Sequence, residues 1–406
     1  MAKILILGAG IAGHTAASHL RRKLSKEHEV VVVSPNRNYQ WVPSNIWVGI
    51  GRMKSDEVFF PLEPLYKRKG IGYKQAKVIS FHPEGDATET KGFVTIEYIF
   101  GKNAGVQEKV NYDYLINATG PKLAFELTEG LNPGTNKAYS VCTYEHAAHA
   151  SEALLKLIGD IKTSDKKAKI LIGTGHAKAT CQGAAFEYIL NVEKELVRYG
   201  VRDKIELTWI SNENELGDFG MDGMLLTYGN QTLKSSELVE MVFADRGIKW
   251  ILGAGVFKID EGKAHYENLE GEYKEEDFDF AMLIPSFSGH GFKAFDKNEN
   301  DITDKLFKGF MIVDADYTSK PYEEWTVQDW PETYQNPNYA NIFAPGIAFA
   351  PPHSISKPRK SKNGTDIFPS PPRTGMPSGI TAKLVADNII ETIKNGKMSV
   401  AHKGSL

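Results

Sequence analysis

The sequence predicts an α/β protein with two Rossmann-like dinucleotide-binding domains, the first of them discontinuous. Three stretches carry this reading. The apolar run Ile4-Leu5-Ile6-Leu7 leads straight into Gly8-Ala9-Gly10-Ile11-Ala12-Gly13. A second start of the same form, Lys169-Ile170-Leu171-Ile172 followed by Gly173-Thr174-Gly175, lies far downstream. A third, Asn341-Ile342-Phe343-Ala344-Pro345-Gly346, repeats the strand-then-glycine form near the C-terminus. The expected division is 1–120 for the first part of the cofactor domain and 121–300 for the second unit. Residues 301–406 are expected to return to the first domain and begin a C-terminal tail.

In the first unit, a strand over 4–7, a helix over 12–26 and a strand over 30–34 make a βαβ start. A helix opening on a glycine turn aims unpaired N–H groups and its dipole at a pyrophosphate. The pattern alone also fits an ordinary tight turn; its place between strand and helix favours the nucleotide. Gly8, Gly10 and Gly13 are therefore cofactor candidates. Ser34 stands where an acidic ribose ligand is usual, and offers a weaker hydroxyl contact. The segment 114–117 reads as a strand ending in the small-residue turn Ala118-Thr119-Gly120. After the third glycine stretch, apolar residues at 380, 384, 385, 389, 390 and 393 have helical spacing. Between them, 353–373 is rich in Pro, Ser, Lys and Arg and reads as a solvated basic loop. Contact of Lys357, Arg359, Lys360 and Lys362 with anionic lipid is the alternative there.

The second glycine turn departs from the pattern. Lys178 occupies its third glycine position, where a long side chain is expected to crowd the helix–strand contact and the pyrophosphate space. That unit is expected to keep the fold without its nucleotide. Cys181 follows, just ahead of a helix over 184–199. A thiol at a helix N-terminus is expected to have a lowered pKa. Cys142 precedes it by 39 residues in Ser140-Val141-Cys142-Thr143-Tyr144-Glu145-His146. An inert core thiol is the bland alternative for each.

Bulk properties exclude several classes. A net charge of −3 gives no reason to expect nucleic acid as a partner. Two cysteines in 406 residues make no disulfide framework, and the histidines lack metal-ligand spacing beside them, so no metal is expected. Met1-Ala2-Lys3 leads directly into the first strand, leaving no room for a signal peptide. No apolar run approaches a membrane span.

Several longer words resemble the sulfide:quinone oxidoreductases, FAD enzymes of the two-dinucleotide-domain disulfide reductase superfamily. They include 39–49 with Pro43-Ser44-Asn45, Phe60-Pro61-Leu62, and Ala118-Thr119-Gly120-Pro121-Lys122-Leu123-Ala124-Phe125. Cys142 with His146, the run from Cys181 to Glu187, Ile284-Pro285-Ser286-Phe287 and Ala344 to Ala348 resemble further family blocks. The resemblance implies FAD held by Gly8, Gly10, Gly13, Ser34, Pro43, Ser44, Asn45, Ala118, Thr119, Gly120 and Gly346. It implies sulfide and a quinone as partners, a persulfide formed at Cys181, a lesser role for Cys142 and a proton-relay role for Glu187. Trp41, Trp47, Phe287 and Phe349 are candidates for apolar contact with flavin or quinone. A peripheral place at the cell membrane and a homo-oligomeric state are further expectations. The family's third cysteine and its amphipathic membrane-docking part are expected beyond Leu406, absent from or truncated in this chain. Asp218 stands where some relatives carry histidine. The rival readings are an NADH:quinone flavoprotein of the same fold and a non-catalytic FAD-binding redox sensor or partner subunit.

Overall fold

The computed structural model describes residues 1–399; the expected tail falls partly on 400–406, outside the described residues. The first sheet is centred on the strand Lys3–Leu7. Its order is Ile342–Phe343, Tyr114–Asn117, Lys3–Leu7, Glu29–Ser34, Gly72–His82, Phe93–Tyr98 and Gln107–Asn111. The first five run parallel, with Leu5 beside Val31 on one side and Leu115 on the other, and Leu115 beside Ile342. Parallel strands are covered on both faces, so they read as unbroken apolar runs. Ile4 to Leu7 and Val30 to Val33 are all buried. Helix Ile11–Lys23 packs along helix Gly375–Asn395 on one face, so the C-terminal part completes the N-terminal sheet. Lys293–Ala294 also joins this sheet, beside Ser80 and Phe81.

The second sheet is wholly parallel, in the order Ala138–Tyr139, Phe280–Ile284, Ala168–Thr174, Ile205–Ile210 and Ile248–Ile251. Helices Tyr144–Lys162 and Gln182–Tyr199 pack on it around Leu154, Ile158, Tyr188, Ile189 and Val192. A three-stranded antiparallel meander, Gly255–Asp260, Lys263–Glu267 and Tyr273–Asp277, closes over the other face through Val256, Ile259 and Ala264. Among the described residues no helix is long and apolar enough to cross a membrane.

The segment 353–373 forms no regular helix or strand, as its composition suggests, but it lies against the second sheet's loops. Ser361 and Thr365 hydroxyls donate to buried Glu267, and Ser356 donates to Asp218. Its lysines face carboxylates: Lys357 meets Glu323 at 3.1 Å, Lys360 meets Asp366 at 2.8 Å, and Lys362 meets Glu270.

Candidate active site

The first glycine turn has the shape a dinucleotide needs. Gly8 has φ +95°, and a Cβ there would lie 2.2 Å from the Ala118 carbonyl oxygen. A Cβ on Gly13 would lie 2.0 Å from the Gly8 carbonyl oxygen, so this residue lets helix and strand close together. A Cβ on Gly10 would meet nothing within 4 Å; its surface is open. Helix Ile11–Lys23 starts immediately after Gly10, with no side-chain cap and no acidic residue in its first turn. Its leading N–H groups are thus free of local carboxylates. Thr119 and Gly120 flank this turn half-buried, while Gly346 (φ +72°) lies so close to Ala12 that their Cβ atoms would be 2.9 Å apart.

Other cofactor candidates are placed differently. Ser34 is buried and its hydroxyl accepts the Asn36 N–H at 3.2 Å. Asn45 is buried too, accepting from Gln40 and donating to the Val141 carbonyl at 3.0 Å. It anchors the residue before Cys142. Pro43 is exposed and Ser44 half-buried on the same short turn. Trp41 and Trp47 are exposed, whereas Phe349 is buried against Tyr334 and Trp330.

The second turn is built on another plan. Helix Gln182–Tyr199 begins seven residues after Gly175, not directly on the glycines. A Cβ on Gly175 would lie 2.7 Å from Leu131, so protein already fills that space. Asn212 donates to the carbonyls of Ala177 and Ala179, and Gln182 donates to Ala179 and Asn212. Side chains of the chain itself thus bind the loop's polar groups. Lys178 does not crowd a helix–strand contact, as the spacing suggested, because no helix runs there. Its amine lies over the Phe368 ring at 3.0 Å, and burial pulls its pKa down to about 8. An open cavity of about 400 Å³ remains beside His176 and Ala177, walled by Phe257 and Tyr273.

The loop after this turn is zipped to the run before helix Gly375–Asn395. Phe368 N–H donates to Ala177, Ser370 N–H to Ala179, and Thr180 Oγ1 to Pro371 at 2.8 Å. Cys181 Sγ donates to the Arg373 carbonyl at 3.4 Å. The thiol of one lobe therefore rests on the entry to the last helix of the other. Cys181 has φ +64°, a left-handed conformation that a residue with a side chain adopts at a cost. Its thiol pKa is not lowered, as the helix-terminus argument predicted. Desolvation pushes it up to about 11, against the opposing pull of Arg373. Burial outweighs the hydrogen bonds and the charge that pull it down.

Cys142 packs against the same apolar cluster and feels the charge of Cys181; burial first, then that charge, pushes its thiol up to about 12. Neither cysteine is bridged. His146 stands edge-on to Phe125, 5.6 Å between ring centres, as a packing residue. Glu187 is exposed on helix Gln182–Tyr199, and partial burial raises its pKa. Sequence reading missed Arg373 and Asn212, whose partners lie 192 and about 33 residues away with no local signal.

The fold is that of the pyridine nucleotide-disulphide oxidoreductases, whose family model matches residues 2–184. Over 396 residues the chain is 30% identical to the sulfide-quinone reductase of Aquifex aeolicus, covering 97% of this chain and 78% of that one. It superimposes on the crystal structure of the Aquifex aeolicus sulfide:quinone oxidoreductase with a TM-score of 0.74 at 29% identity, again covering 97% and 78%. The chain belongs to the sulfide:quinone oxidoreductase family. It is also 25% identical to the mitochondrial sulfide:quinone oxidoreductase of Dictyostelium discoideum, covering 71% of this chain and 57% of that one. Its fold is shared with NDH2 from Plasmodium falciparum, with a TM-score of 0.66 at 14% identity over 99% of this chain and 86% of that one.

Proposed function

We propose that this chain oxidises sulfide and passes two electrons to a quinone, with FAD on the first glycine turn and Cys181 as the sulfur that meets sulfide. The position of Cys181 carries the reading. It is a second-lobe thiol bonded to Arg373, on the segment entering the helix that packs beside the glycine-turn helix. FAD, when bound, supplies the two-electron acceptor between sulfide and quinone. Gly8 and Gly13 close the turn, and Gly10 leaves the approach to a pyrophosphate open. Cys181 would hold the sulfide sulfur atom as a persulfide, and the two electrons and the proton released when that S–S bond forms would go to the bound FAD and on to the quinone. The overall balance is HS⁻ plus quinone plus H⁺ giving sulfur, carried away in a polysulfide, plus quinol. Cys142 supports this site and Glu187 offers an exposed proton acceptor. A lipid-soluble quinone brings the reaction to the membrane surface, where attachment is peripheral.

The test is spectroscopic. Anaerobic sulfide added to the purified protein is expected to bleach its visible absorbance, and a quinone is expected to restore it. An unchanged spectrum with sulfide rejects the reading. Rapid bleaching by NADH instead points to the NADH:quinone alternative.

A further inference from the structure

The cavity beside the second glycine turn is lined by groups that the sulfur chemistry leaves unused. Its volume of about 400 Å³ falls in the range of small-molecule sites. Phe257 and Tyr273 line it as nearly perpendicular rings, 5.7 Å between centres, and both are exposed. Glu267, also in the lining, lies between their strands, paired with Gly255 on one side and Tyr273 on the other. It is buried, and its carboxylate accepts from the Ser361 hydroxyl and, at 2.7 Å, from the Thr365 hydroxyl. Burial would raise its pKa, but the hydroxyl bonds hold it below the ordinary value, so the group is ionised at neutral pH.

Among the described residues no lysine or arginine pairs with this carboxylate. In the same meander, Lys258 meets Glu129 and Asp260, Lys263 meets Glu275, and Lys274 meets Glu272. In the segment 353–373, Lys360 and Lys362 meet Asp366 and Glu270, and Arg359 is exposed. The Lys178 amine lies over the Phe368 ring. His176 adds no charge either. Its Nδ1 accepts the Lys178 N–H at 3.0 Å, and burial, then the Lys178 charge, lowers its pKa. The neutral ring therefore carries its proton on Nε2, which has no partner among the described residues. The cavity thus offers one buried anion without a counter-ion, two aromatic rings and one free N–H donor. An anionic ligand would meet the charge of Glu267, and a hydrocarbon would leave both polar groups unpaired. Rings and carboxylate together favour a cation.

We propose that this cavity binds a small organic cation bearing an acceptor oxygen, an amino alcohol or its quaternary ammonium form. The cationic head answers Glu267 and the rings of Phe257 and Tyr273, and the oxygen takes the His176 Nε2 proton. The site is independent of Cys181 and of the sulfide reaction.

The probe is choline, titrated calorimetrically into the full chain at fixed ionic strength. Its uncharged isostere, with a tert-butyl group in place of the trimethylammonium, is titrated beside it. Choline is expected to bind at one site, at least tenfold more tightly than the isostere. Glu267→Gln, which keeps an acceptor for one hydroxyl, is expected to abolish that preference. Phe257→Leu and Tyr273→Leu alter exposed rings, so they keep the test open should the glutamine variant fail to fold. Each is expected to weaken choline several-fold with the unfolding temperature unchanged. Failure of choline to bind at millimolar concentration, equal binding of choline and isostere, or ring variants that bind choline as the parent does overturns the proposal.

Discussion

Gly10 and Gly13 share one turn, yet a Cβ on Gly13 would collide with the Gly8 carbonyl at 2.0 Å while one on Gly10 would meet nothing within 4 Å. Gly10 also has φ −72°, which any residue adopts. Its lack of a side chain is therefore useful only to something that approaches from outside. Gly10→Ala is expected to fold normally, with stability within about 0.5 kcal/mol of the parent, and to lose bound dinucleotide. Gly13→Ala is expected to lower the unfolding temperature of the cofactor-free protein. Cofactor content after purification, read beside thermal unfolding, checks both. Full cofactor in Gly10→Ala would remove the pyrophosphate from this turn.

Glu213 is fully buried and accepts from the Ser211 hydroxyl and the Phe219 N–H, each at 2.7 Å. Desolvation, with the charge of Asp218 adding, raises its pKa from 4.5 to about 7. The native state therefore holds a proton that the unfolded chain has released between these values. Its contribution is present below pH 4.5 and is lost as pH rises through about 7. Glu213→Gln keeps an acceptor for Phe219 and is expected to raise the unfolding temperature at pH 8 but not at pH 5. Equal gaps at the two pH values contradict this account.

Lys178 gives the opposite slope. Burial lowers its pKa from 10.5 to about 8, so the native state resists the proton that the unfolded chain keeps. The penalty is complete below pH 8 and fades as pH approaches 10.5. Lys178→Met is expected to stabilise the protein at pH 7, with a smaller gain at pH 10. The amine's place over Phe368 offsets part of that gain, so a loss at pH 7 would show the cation–π contact to be the larger effect.

The first lobe was legible because strand, glycine turn and helix are contiguous in the chain, each fixed by residues a few positions apart. Its distant completion was legible too, in the strand-then-glycine form at 341–346 and the helical spacing after 380. The second turn was not. A local pattern cannot show that Asn212 ties down Ala177 and Ala179, or that the helix waits until Gln182. The segment 353–373 looked solvated because it is rich in Pro, Ser, Lys and Arg, yet 368–373 runs beside Ala177 to Cys181. That pairing spans some 190 residues, and no composition rule sees it. Burial likewise inverted the titration expected of Cys181: the helix terminus is a local effect readable from sequence, whereas desolvation of the sulfur depends on what packs around it in space.

The two cysteines share one apolar cluster and one electrostatic neighbourhood, and the Cys181 sulfur bonds to the Arg373 carbonyl at the entry to the last helix. Cys142 N–H bonds to the Ser140 hydroxyl at 3.1 Å, and its neighbour Val141 is held by Asn45, so its position is set by its own turn and by the Asn45 segment. Substituting Cys142 removes one of two mutually repelling sulfurs and leaves the Cys181–Arg373 link in place. Cys142→Ser is therefore expected to lose sulfide-driven bleaching only in part. Cys181→Ser removes the sulfur that accepts sulfide, so bleaching is expected to vanish. Stopped-flow absorbance under anaerobic sulfide, with cofactor content matched between variants, separates the two. Complete inactivity of Cys142→Ser alongside residual activity of Cys181→Ser would reverse the roles. The sulfide-accepting sulfur would then lie at the end of the Asn45–Val141 link, with Cys181 left as the packing thiol.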